Sequence, residues 1–79
     1  MINPLNQVYT TNLLYYLEQQ NIPRHEVYTK VLETFREMPD ETTDGGNDKH
    51  FFSLKVADQK IFVAENELNG LTVMAPEDY

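Results

Sequence analysis

The sequence predicts a two-layer α+β domain, with two N-terminal helices packed on a three-stranded antiparallel β-meander. Two observations carry this. Apolar residues recur every three or four positions before Met38 and every second position after His50. Between the two regimes, Pro39 to Lys49 contains no apolar side chain. The later segments are joined by short turns, which make neighbouring strands antiparallel. At 79 residues the chain has room for one domain over residues 1–79, burying about 60% of its extended surface.

The first helix is expected from about residue 4 to 20. Asn3-Pro4 reads as an N-cap followed by proline at the first helical position. Leu5, Val8, Tyr9, Leu13, Tyr16 and Leu17 then form one stripe, and Asn21 suits a left-handed C′ position. Pro23 restarts a helix in its own first turn. Val27, Tyr28, Val31, Leu32, Phe35 and Met38 mark its buried side, and Pro39 stops it near residue 37. The helical pair thus spans 4–38.

An acidic loop follows over 39–49. The meander occupies 50–75. His50, Phe52, Leu54 and Val56 face one way, and Phe51, Ser53 and Lys55 the other. Ala57 to Lys60 is a turn, Ile61 and Val63 alternate in the next strand, and Asn69-Gly70 turns into Leu71–Met74. The tail, 76–79, is expected to fray. The predicted core is Leu13, Leu17, Val31, Phe35, Leu54, Val56, Val63 and Val73.

Composition narrows the chemistry. There is no cysteine, so disulfides, thiol catalysis and thiolate metal sites are excluded. No apolar run approaches the roughly 20 residues that span a membrane, and the first residues lack a basic and apolar leader pattern. A cytoplasmic protein is the resulting expectation. Thirteen acids against six bases give a net charge of −7. Residues 1–38 contribute −1 of this and residues 39–79 contribute −6. Such a balance opposes direct nucleic-acid binding and attachment to anionic membranes.

No catalytic constellation emerges. His25 and His50 have no nucleophile and acid at a familiar spacing, and the single serine, Ser53, lacks flanking glycines. Read as a calcium loop from Asp40, the acidic segment offers Thr42, Asp44, Gly45 and Asp48, but its last ligand position holds Phe51 instead of glutamate. The loop is therefore read as solvated, with no metal site. None of the three glycines precedes a helix, so no nucleotide cofactor is expected. The second helix is too evenly charged to read DNA.

What remains is surface. Adjacent aromatic pairs cannot share one core, so Tyr15 and one of Phe51 and Phe62 should lie outside it. The expectation is a non-enzymatic protein-binding domain that occupies a basic surface of a partner. By general analogy it fits an inhibitor or antagonist, such as an antitoxin, an immunity protein or a phage anti-defence protein that mimics nucleic acid. Its contact residues would be Asp44, Asp48, Asp58, Glu65 and Glu67, with Tyr15 and Phe51 as apolar anchors. The alternative is a homodimeric structural or assembly protein in which the charge serves solubility alone.

Overall fold

The computed structural model describes residues 1–40 and 46–79. Its elements are strand β1 (Gln7–Tyr9), helix α1 (Thr11–Gln19), helix α2 (Arg24–Glu37), and strands β2 (Phe51–Val56), β3 (Gln59–Glu65) and β4 (Leu71–Met74). A short 3-10 turn, Pro76–Asp78, ends the chain. The class is α+β, with two helices on one face of a four-stranded mixed sheet of order β1-β4-β3-β2. β2, β3 and β4 form the expected antiparallel meander. β1 adds a fourth strand, parallel to β4, with Gln7 opposite Leu71 and Tyr9 opposite Val73.

The fourth strand corrects the expectation of one helix from 4 to 20. Asn3-Pro4 makes a turn instead of a helix start. The Asn3 carboxamide oxygen accepts from the Leu5 amide at 3.1 Å, and the Asn3 carbonyl accepts from the Asn6 amide at 3.1 Å. Proline suits the second position of such a turn as well as it suits a first helical turn. The helix begins after Thr10, whose hydroxyl accepts from the Leu13 amide at 3.3 Å. Leu13 and Leu17 are buried, whereas Leu5 and Val8, the front of the predicted stripe, are 59% and 46% exposed.

α1 ends as Asn21 allows. Asn21 has φ 56°, its amide donates to the Glu18 carbonyl, and the Ile22 amide donates to Leu17 at 2.9 Å. That pair of bonds satisfies two end carbonyls and turns the chain into α2. Pro23 stands at the N-cap of α2, one position before the predicted first turn. Val27, Val31 and Phe35 then face the sheet, four residues apart.

The β2–β3 turn is tighter than Ala57 to Lys60. Ala57 and Asp58, both left-handed at φ 50° and 64°, make it alone, so Gln59 and Lys60 join β3. Two left-handed residues match the strand twist. Of the predicted core, Leu54 is only partly buried, packing against the core from the edge strand β2; the other seven are buried. Phe52, Val27, Ile61, Leu71 and Ala75 complete the core.

Gly70 is where β1 and the β3–β4 turn meet. A methyl group there would collide with the Asn6 carbonyl oxygen and would stand 2.7 Å from its side-chain nitrogen. The same crossing carries the Leu71 amide onto the Asn6 carbonyl at 2.8 Å. Gly70→Ala is therefore expected to cost about 1–3 kcal/mol, as overpacking does. Urea unfolding measures the loss, and amide exchange at Val8 and Tyr9 should rise with it. Unchanged stability would mean the crossing has room that its geometry denies.

Candidate functional site: the open sheet face

Both helices cover the same side of the sheet, so the alternation of each strand leaves its second set of side chains uncovered. The ladder puts Phe51 opposite Ala64, Ser53 opposite Phe62, and Phe62 opposite Met74 on this outer face. The Phe51 and Phe62 rings stack with centroids 6.0 Å apart. Tyr79 closes the group, at 5.2 Å from Phe51 and 4.5 Å from Phe62, while remaining 71% exposed. One phenylalanine outside the core was expected; both are outside it. Val8 and Met74 extend the apolar surface across β1 and β4.

The tail is docked, which corrects the expectation that it frays. The Asp78 carboxylate accepts from the Thr10 hydroxyl at 2.6 Å, from the Asn12 side-chain amide at 2.8 Å and from the Ala75 amide at 3.3 Å. These bonds, Thr10 first, hold the Asp78 carboxyl below the usual value of 3.8. A depressed folded value favours the docked tail above about pH 3.8 and releases it as pH falls through the folded value. Acidification should therefore abolish the NMR contacts between the Tyr79 and Phe62 rings while the core stays folded. Contacts that persist to about pH 2, or in Asp78→Ala, would show that ring packing alone holds the tail.

The β2 edge of the sheet is partly closed. Phe51, Ser53 and Lys55 turn their backbone groups away from β3. Asp48 meets the first of them: its amide donates to the Phe51 carbonyl at 3.0 Å and its carboxylate accepts from the Phe51 amide at 3.2 Å. Lys55 further on discourages pairing with another strand.

The residues expected to contact a partner do not converge. Phe51 lies on the open face. Tyr15 is 64% exposed on α1, in the other layer. Asp58 sits in the β2–β3 turn, about 20 Å along β3 from Glu65. Glu65 lies at the far end, its Oε1 3.1 Å from Nδ1 of His50, and Glu67 is exposed in the turn that follows. Asp48 also accepts from the His50 amide at 2.8 Å, so its carboxylate builds the chain reversal before β2. Asp44, with most of the calcium-loop reading, falls outside the described residues.

A cleft of about 410 Å³ opens at the Glu65 end, lined by Met1, Ile2, Phe35, Asp40, Lys49, His50 and Glu65. Lys49 pairs with Asp40 at 3.0 Å and lies 5.6 Å from the centre of the Phe35 ring. Among the described residues the lining supplies a His–Glu pair but no hydroxyl or thiol nucleophile beside it. Among the described residues no three His, Cys, Asp or Glu side chains are grouped to hold a metal. No helix there is long and apolar enough to cross a membrane.

No protein-family model, no curated protein and no solved structure matches the chain. The surface itself must indicate its role. Sequence reasoning named Phe51 as a contact residue, offered Phe62 only as its alternative outside the core, and missed Tyr79. Strict alternation from Ile61 and Val63 places Phe62 outside; nothing local to Tyr79 reveals its docking.

Proposed function

We propose that this chain is a small, non-catalytic protein-binding domain of the inhibitor or antagonist type, which seats on a basic surface of a partner. The carrying observation is the helix-free sheet face with its three clustered rings. Rigid aromatic side chains at the centre of a patch, with charged groups at its rim, are the pattern of an interface with a few strong contacts. Asp58 and Glu67 supply exposed carboxylates in the turns at the two ends of that face, while Glu65, on the helix side of β3, adds one at the cleft. With a net charge of −7, they would speed encounter with a positively charged partner and discourage nucleic acid.

The same open face favours a second reading, a homodimer. Edge-to-edge pairing of two β2 strands is opposed by Asp48 and Lys55. A dimer across the open face would bring two copies of this charge together and so associate better as salt rises. Salt separates the readings. Affinity for a partner captured on the immobilised chain should fall at least about tenfold as screening shortens the Debye length from about 30 Å to about 3 Å. A chain that captures nothing and sediments as a dimer, increasingly so at high salt, would overturn the inhibitor reading.

A further inference from the structure

The open face carries one feature that its aromatic rings do not explain. Lys55 and Lys60 are directly opposite each other across β2 and β3. The Glu65 amide donates to the His50 carbonyl, so His50 and Glu65 are a hydrogen-bonded pair. Counting in twos along the ladder makes Lys55 and Lys60 a pair without ladder bonds, the kind in which side chains stand closer. Two ammonium groups thus share one patch of a strongly acidic chain. Among the described residues neither has a carboxylate within salt-bridge distance, and the Lys60 ammonium lies 5.5 Å from the centre of the Phe62 ring. Like charges directly opposite weaken a sheet, so an anion seated between them would remove that repulsion.

The spacing specifies more. Residues two apart on an extended chain project to the same side, about 6.6–6.8 Å apart. Lys60 and Phe62 have this relation on β3, and so does an acidic residue to an aromatic two positions away on an extended ligand. We propose that the lysine pair and the adjacent rings dock an extended partner segment carrying a carboxylate two residues from an aromatic side chain. This inference rests on the protein-binding reading and assigns the part of the partner that meets the sheet. The chain's own tail shows the ring half of this chemistry: Tyr79 lies on Phe51 and Phe62. Single-stranded nucleic acid would also offer rings and anions. It would bring a negative charge with every nucleotide against a net charge of −7, with only these two lysines on the face to meet it. A second copy would bring its own lysine pair.

The experiment is an NMR titration of the nitrogen-labelled full chain with the capped peptide Ser-Glu-Thr-Phe-Thr-Ser. Amide shifts are expected to centre on Ser53, Lys55, Lys60 and Phe62. Replacing the peptide glutamate by glutamine, or both lysines in Lys55→Gln/Lys60→Gln, should weaken binding by about tenfold. Circular dichroism and urea unfolding check that the double variant is folded; Lys60→Gln alone is the second variant. Shifts elsewhere, no shift on this face at about millimolar peptide, equal binding by the glutamine peptide, or preferred binding of an oligothymidine strand would each overturn the proposal. Failure of the wider reading looks different. Reversing the charges of Glu65 and Glu67 would leave partner binding unchanged, while the peptide still bound the lysine pair.

Discussion

Phe52→Ala is expected to remove about 3–5 kcal/mol of stability, the range for deleting a large aromatic side chain from a packed core. For a domain of this size that is a quarter or more of the roughly 4–12 kcal/mol available. Phe52 is wholly buried on β2 and is the largest of the fully buried side chains. Its ring lies 6.4 Å from that of Phe35 and so joins the edge strand to α2. Without it β2 would keep Val56 as its only buried residue. The same strand presents Phe51 to the open face, so loosening one side should disorder the other. Urea unfolding should show a lowered midpoint, and the ring contacts between Phe51 and Tyr79 should weaken before global unfolding. A variant that keeps wild-type stability would mean that helices and sheet do not depend on this ring to stay together.

The elements that local pattern specifies were legible, and those made by distant partners were not. α2 is written in Val27, Val31 and Phe35, with proline at either end. The β2–β3–β4 meander is written in two-residue alternation and two turns. β1 is not, because it is three residues long and exists by pairing with β4, more than sixty residues later in the chain. Its signals, Asn3-Pro4 and an apolar residue every few positions, also suit a helix. The docked tail depends on Asp78 reaching Thr10 and Asn12, again over more than sixty residues. The aromatic face was half legible for the same reason. Alternation puts Phe51 and Phe62 outside, but the arrival of Tyr79 is a tertiary event. The carboxylates were counted correctly and their dispersal was not foreseen, since it depends on which strand end each one occupies.

That dispersal sharpens the test of the electrostatic mechanism. Each carboxylate turned to lysine changes the charge by two, so Asp58→Lys, Glu65→Lys and Glu67→Lys together move the net charge from −7 to −1. All three sites are exposed, and exposed substitutions usually alter stability by less than about 0.5 kcal/mol, with a further cost at Asp58, whose left-handed φ of 64° suits aspartate better than lysine. The triple variant should remain folded, although it loses the 3.1 Å contact between Glu65 and His50. Its binding to a basic partner should fall at least about tenfold, mostly through slower association, because rim charges act on encounter more than on the docked complex. The two ends of β3 can be separated. Asp58→Lys alters the turn beside Lys55 and Lys60, whereas Glu65→Lys/Glu67→Lys alters the end beside the cleft. If the cleft end faces the partner, the second variant should reproduce most of the loss and the first little of it. Comparable losses from both would mean the partner spans the whole sheet face. A folded triple variant that associates as fast and binds as tightly as the wild type would remove electrostatics as the mechanism. Recognition would then rest on the apolar contacts of Phe51, Phe62 and Tyr79, and Phe62→Ser would be the variant that abolishes it.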